Sequence, residues 1–321
     1  MKFSSLPWVC SIFLFVITAC NDVRHNDSII IPPELVLQDH ILANKIFTAK
    51  NYQLIDKAGL LKEISAARYI MIGETHDNLQ HHRIQADIID YLSESNDPAS
   101  VAFEMIDAEQ GRMLDNNKVT SSDYLIELLN HFPSGWEYEI YYRNLFDSVI
   151  RAGFSIVPAN IERKRLLEMM DEASGELPAD LKNTLTRFPV TPQIAAAMEV
   201  DIIDSHCGML NKEQAQPMLR GQRIRDAAMA MSLLNSNAKH KILIAGNGHV
   251  RNDWGVARYL EQGNNSVITI GLLEVDTDHN SPADYVENWQ NGKLPFDYVW
   301  FTTRADRPDP CSSYIESHQR D

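Results

Sequence analysis

Tyr69-Ile70-Met71-Ile72-Gly73-Glu74-Thr75-His76-Asp77-Asn78-Leu79-Gln80-His81-His82-Arg83 decides how the rest of the chain is read. Its opening apolar run is too short for a helix and has the make-up of a buried strand. After Gly73 the chain turns polar, and helical spacing resumes through Ile84, Ile88, Ile89 and Leu92. Strand, turn and helix in that order predict a parallel α/β unit, in which ligands lie outside the carboxyl ends of the strands. Glu74, His76, Asp77, His81 and His82 then stand where such folds do their work, although a solvated turn has the same polarity.

Further runs rich in β-branched and aromatic residues predict strands at Val101–Phe103, Phe154–Pro158, Ile242–Ala245, Val267–Leu272 and Tyr298–Phe301. Most are separated by helical patterns. The expected fold class is α/β: a mostly parallel β-sheet flanked by helices, with a smaller all-helical subdomain inserted. The insert is read over residues 161–239, where only helical spacing occurs, broken at Gly175, Pro178, Pro189 and Pro192. The α/β domain then comprises residues 35–160 and 240–321.

Glu104 follows its strand as Glu74 follows the first, and two neighbouring carboxylates need a cation, a metal or a shared proton to relieve their repulsion. The run Ile242 to Gly255, ILIAGNGHVRNDWG, again leads from strand to polar turn and presents His249, with Asp253 beyond it. Glu74, His76, Glu104, His249 and Asp253 form a candidate acid–base site, and Arg223 is a candidate clamp for an acidic group. Either Glu74 or Glu104 could cap a helix instead, and the arginine, in a helix with its apolar positions at Ile224, Ala228 and Met231, could be solvated. A divalent metal is kept as an alternative only, because His76, His81 and His82 lack the spacing of a helical histidine pair and no cysteine cluster accompanies them. No GxSxG elbow and no phosphate-loop glycine pattern occurs.

At the N-terminus, Lys2 and the apolar run Leu6–Ala19 read as an export signal (1–19) too short to span a bilayer comfortably. It ends at Ile17-Thr18-Ala19-Cys20, which resembles the lipobox of bacterial lipoproteins. Cys20 is then the lipidated residue, a palmitate-bearing anchor, and residues 20–34 a tether. Asn21 carries no inner-membrane retention signal, so the expected location is the outer membrane of a bacterial cell envelope. The net charge of −15 becomes −16 once Lys2 leaves, a balance that opposes nucleic acid as a partner. Of four cysteines, Cys207 and Cys311 remain beyond signal and anchor and could pair in an oxidising compartment.

Trp136-Glu137-Tyr138-Glu139-Ile140-Tyr141-Tyr142-Arg143 groups aromatics with an arginine, while His206, Cys207 and Met209 stand together further on. Such residues suit either an ordinary aromatic core or the walls of a flat ligand such as haem, which accepts Tyr, His or Met ligation. The motifs IGETHDNLQHH, AFEM, SGWEYEIY, SHCGML, RGQRIRDAAMA and AGNGHVRNDWGV resemble, from about Gln53 to Trp300, the ChaN family of haem-binding lipoproteins in the Tiki, TraB and erythromycin-esterase-like superfamily. The resemblance implies haem held by tyrosine between the subunits of a homodimer, and a role in haem or iron uptake that feeds a transporter. Tyr141, Tyr142, His206 and Met209 are the candidate haem-pocket residues. Hydrolases in the same superfamily imply the alternative: an envelope hydrolase, esterase or metal-dependent peptidase-like, working through the Glu/His strand ends.

Overall fold

Two core strands alternate between two cores. In the computed structural model, Ile70 and Ile72 join one buried cluster while Tyr69 and Met71 join another, and Ile242/Ile244 and Leu243/Ala245 divide in the same way. Side chains on a strand point to opposite faces with period two, so a strand covered on both sides reads as one continuous apolar run. The structure describes residues 31–171, 175–260, 266–289, 292–309 and 311–312. The expected export signal, Cys20 and the tether up to residue 30 lie outside the described residues.

The strands are β1 (Leu35–Val36), β2 (Ile46–Thr48), β3 (Leu54–Ile55), β4 (Tyr69–Glu74), β5 (Ala99–Asp107), β6 (Ser155–Asn160), β7 (His240–Gly246), β8 (Val267–Glu274), β9 (Tyr298–Thr302) and β10 (Arg304–Ala305). Eight form one sheet in the order β3-β2-β9-β8-β4-β7-β5-β6, parallel from β9 to β6, with β2 and β3 added antiparallel. β1 and β10 pair separately. All six predicted strands occur, each longer than predicted, the third starting one residue later and ending two later. The four short ones at the periphery carried no sequence signal.

The helices are α1 (Lys57–Ser65), α2 (Leu79–Ser93), α3 (Ala108–Met113), α4 (Ser122–Asn130), α5 (Arg143–Arg151), α6 (Arg163–Met170), α7 (Ala179–Arg187), α8 (Pro192–Ser205), α9 (Lys212–Asn235) and α10 (Asn247–Val250). Helices α1, α2, α4 and α5 cover one face of the sheet, through residues such as Leu60, Ile88, Leu125 and Phe146. Helices α6, α7 and α9 cover the other, through Leu166, Leu181 and Ile224. The stretch 161–239 carries α6 to α9; α6, α7 and α9 share a core with the sheet, while α8 packs through Met198 against Leu219 and Trp254. Thr191 caps α8, with Pro192 in its first turn, and Asn211 caps α9 in a reciprocal pair with Gln214. The buried positions of α9 include Ile224, Ala227, Ala230 and Leu233, a phase that corrects the expected Ile224, Ala228, Met231 and turns Asp226 inward.

Two local features shape the strand ends. A Cβ at Gly73 would stand 2.1 Å from Asn247 Oδ1, so only glycine lets the Asn247 side chain cross β4 and bond both N–H and C=O of Leu272. Pro158 pairs with Phe103 on the outer strand β6 and cannot donate to the ladder. The register shifts between Phe103 and Asp107, and the bulged segment carries Glu104. Bulges re-aim side chains in this way.

Candidate functional site

The tips of β4, β5 and β7 converge as the sequence predicts. Glu74 is fully buried and accepts three hydrogen bonds: from His76 Nδ1 (2.8 Å) and Tyr142 Oη (2.7 Å) on Oε1, and from Gln85 Nε2 (2.8 Å) on Oε2. Burial opposes its charge, but His82, His76 and Tyr142 outweigh it and hold the carboxyl down at about 2. The same burial, with Glu74 alongside, pushes the Tyr142 phenol well above its ordinary value. Tyr142 therefore stays a protonated donor in the core, its hydroxyl committed to Glu74.

Glu104 accepts from the Gly246 backbone N–H at 2.8 Å, and its other oxygen lies 3.4 Å from His249 Nε2. On the far side of the ring, His249 Nδ1 meets Asp226 Oδ1 at 2.6 Å, with the Gln222 amide 3.0 Å from the same nitrogen. Burial disfavours the imidazolium, yet Glu104 and Asp226 together raise His249 to about 10, so the ring is a buried cation at neutral pH. Glu104 is correspondingly held well below the carboxylate range, while burial pushes Asp226 up. A Cβ at Gly246 would stand 3.3 Å from the His76 ring, so the glycine gives that ring room beside the end of β7.

His76 differs from its neighbours in exposure: its side chain is 41 % exposed while that of Glu74 is 0 %. Burial lowers its pKa, but Glu74 and Glu104 overcome this and raise it above the ordinary histidine value. Edge-on packing against Trp136 at 4.8 Å orients the ring. The arrangement can thus move a proton at His76 against two ionised carboxylates and a fixed imidazolium. His81 and His82 do other work. His81 accepts from Thr75 N–H (2.8 Å) and bonds Thr302 Oγ1 (2.8 Å), and burial drives it down to about 3, keeping it neutral. His82 donates to the His76 carbonyl (2.9 Å).

The remaining predicted residues disperse. Asp253 forks onto buried Arg251 (2.7 and 2.9 Å) and does not partner His249, a place taken by Asp226, which sequence reasoning missed. Arg223 lies beside Tyr259, whose hydroxyl burial and then Asp226 push up to about 12. Tyr141 is half-buried near Asp77 and Glu137. Met209 is exposed, whereas His206 lines a cleft of about 1140 Å³. That cleft lies between the ends of β5 and β6, helices α6, α8 and α9, and the 132–136 loop; Glu104, Gln222 and Trp136 give it contact with the buried cluster. Of the aromatic segment, Tyr138 and Tyr142 belong to the core, brought onto one side by a π-helical turn, Tyr138–Tyr142. Among the described residues, no group of three or more His, Cys, Asp or Glu side chains is placed to hold a metal ion, so the alternative of a divalent metal finds no support.

Residues 60–260, well over half of the chain, match the family model described as haem-binding uptake, Tiki superfamily, ChaN. The chain belongs to the ChaN family. Among solved structures it resembles ChaN of Campylobacter jejuni with cofacial haem bound, at 21 % identity and a TM-score of 0.62, over 79 % of this chain and 95 % of that one. The likeness is one of fold. It also matches the type III effector HopBA1 (12 % identity, TM-score 0.43, 76 % and 91 % covered) and an erythromycin esterase, EreC, in its open conformation (14 %, 0.42, 85 % and 86 %). No curated protein sequence matches it. Membership of the ChaN family accords with the mainly parallel sheet flanked by helices on the two faces.

Proposed function

We propose that this chain binds haem and serves haem or iron uptake, held by lipid on Cys20 at the outer membrane of a bacterial envelope and passing its cargo to a transporter, as a homodimer. The ChaN family match carries the reading. The cleft has room for it: its volume of about 1140 Å³ lies just above the ~300–1,000 Å³ usual for cofactor sites. Its walls include Phe132, Leu167, Met170 and Trp254, and Arg163, Lys164 and Arg225 supply cations for propionates. Bound haem would supply redox-active iron; the chain's own residues provide the apolar walls and the cations.

Titrating the detergent-solubilised full chain with ferric haem is expected to give saturable binding with a shifted Soret band. Binding no tighter than to an unrelated acidic protein sinks the reading. The anchor is tested separately, since labelled palmitate is expected in the parent and absent from Cys20→Ala; label retained in the variant rules out Cys20.

A second reading, an envelope hydrolase, is favoured by one observation: the Glu74–His76–Glu104–His249–Asp226 cluster, with its displaced ionisations, touches the cleft through Glu104. A screen of ester and amide substrates on the same preparation separates the two, because turnover lost in Glu104→Gln with haem binding retained assigns the cluster to catalysis.

A further inference from the structure

Helix α8 is a lightly anchored wall of the cleft. It supplies Met198, Asp201, Ile202 and Ser205 to the lining, with His206 just beyond, yet of its 14 residues Met198 alone is buried. Met198 packs with Leu219 and Trp254 in a small cluster apart from the two cores that flank the sheet. The neighbouring wall, α9, is buried at intervals all the way from Ala215 to Leu233. Segments with few buried apolar contacts open locally before the rest of a fold does. The polar ties of α8 join Asp201 to Arg251 (3.2 Å) and Glu199 to Lys212 (3.1 Å) and Gln216 (2.8 Å). Lys212 is largely exposed, which leaves its pair weak.

Both ends of α8 are built to pivot. Ahead of it run Pro189, Val190, the cap Thr191 and Pro192, and the Arg258 guanidinium holds the Pro189 carbonyl. Behind it the chain leaves through Cys207 and Gly208, left-handed at φ of 61° and 69°, and soon reaches Asn211, the cap of α9. Hinges consist of a few such residues at element ends that absorb changes in φ and ψ. The second pivot is also tied covalently, since Cys207 is bonded to Cys311. A short way before Cys311, Arg307 forks onto Asp77 (2.7 and 2.6 Å), which follows β4, and onto Glu274 (2.7 Å to each oxygen), which ends β8. Arg307 thus fixes this part of the chain to the strand ends, and the disulfide fastens the end of α8 to it.

We propose that α8 is a lid on the cleft and that the Cys207–Cys311 bond is its latch. A dithiol reductant opens the latch by thiol–disulfide exchange: one of its thiolates attacks the bond to form a mixed disulfide, and the second displaces it. The reductant leaves as its own disulfide, and its two protons pass to the cysteine thiols. Once unlatched, α8 swings on residues 189–191, lifts Met198 from Trp254 and widens the approach to Glu104 and Gly248 on the cleft wall. The latch works whatever the cleft holds.

Hydrogen exchange is followed peptide by peptide on the folded full chain, oxidised and after reduction with dithiothreitol, and on Cys207→Ser/Cys311→Ser. In the oxidised chain the α8 amides are expected to be protected. Reduction, or the double substitution, is expected to speed their exchange on the order of tenfold or more, while α9, β4 and β7 stay protected over the same minutes. Reoxidation of the reduced parent should restore the protection. Hydroxyl-radical footprinting should oxidise Met198 and Trp254 more in the double variant than in the parent. Reduction acts on the parent already folded, so the test stands even where the double variant does not fold. Exchange of α8 unchanged by reduction overturns the proposal, as does loosening of α8 and α9 together, the mark of a staple for the whole fold. Free thiols at Cys207 and Cys311 in the unreduced chain overturn it as well.

Discussion

Replacing Glu74 with alanine is expected to cost about 3–5 kcal/mol of stability, the range for breaking a buried, hydrogen-bonded charge set by removing one partner. His76, Tyr142 and Gln85 lose a common acceptor at once, and the lost carboxylate is itself shut off from solvent. At about 2–4 °C per kcal/mol the midpoint of thermal unfolding falls by roughly 10 °C. Glu74→Gln, which keeps the shape and one acceptor oxygen, should lose distinctly less. A midpoint within a degree of the parent for the alanine variant contradicts the buried network.

The pH profile follows from the same cluster. Glu74, held at about 2 against an ordinary 4.5, stabilises the fold fully above pH 4.5, and this stabilisation drains away as pH falls toward 2. His81, neutral in the fold down to about 3, adds to the acid limb: the unfolded chain takes up a proton below 6.5 and the folded one does not. His249 acts with the opposite sign. Raised to about 10, it stabilises fully below 6.5 and progressively less as pH climbs through 10. Stability from these groups therefore peaks near pH 6.5, and Glu74→Ala should flatten the acid limb between 4.5 and 2 while leaving the alkaline one. Thermal midpoints across pH 3–10 read both limbs.

Cys207→Ser combined with Cys311→Ser is expected to lower stability by about 2–4 kcal/mol, because the bond closes a span of 104 residues and removes much of the freedom of the unfolded chain. The urea midpoint should drop in the double variant and, by a similar amount, in the parent under reductant, with no further loss when the two are combined. A midpoint indifferent to reductant denies the crosslink. Alkylation of the denatured parent should leave both thiols unlabelled until they are reduced.

The strand tips were legible because each couples an unbroken apolar run to an abrupt polar turn, which is how Glu74, His76, Glu104 and His249 could be gathered from three places in the chain. Asp226 was hidden by one residue of helix phase: placing the apolar stripe of α9 on Ala228 and Met231 turned the acid outward. Once the stripe is put on Ala227 and Ala230, an acid one turn beyond Gln222 becomes a buried acid in need of a partner. Asp253 misled for a local reason, since proximity in sequence to His249 counted for less than the guanidinium of Arg251 two residues away. Tyr142 looked like a ligand in a row of aromatics, and only the π-helical turn shows it facing Glu74. The pairing of Cys207 with Cys311 was open in the sequence because nothing local ties residues so far apart.

Both margins of the eight-stranded sheet are closed to growth. One ends in β3, two residues long, and the other in β6, where Pro158 has no N–H to offer. A second copy of the chain finds little there to continue the backbone ladder, since Asn116 also occupies the N–H and C=O of Ile156 on β6. Contacts made by side chains on helices and loops distinguish self from stranger in a way that a bare β-edge, open to any passing strand, does not.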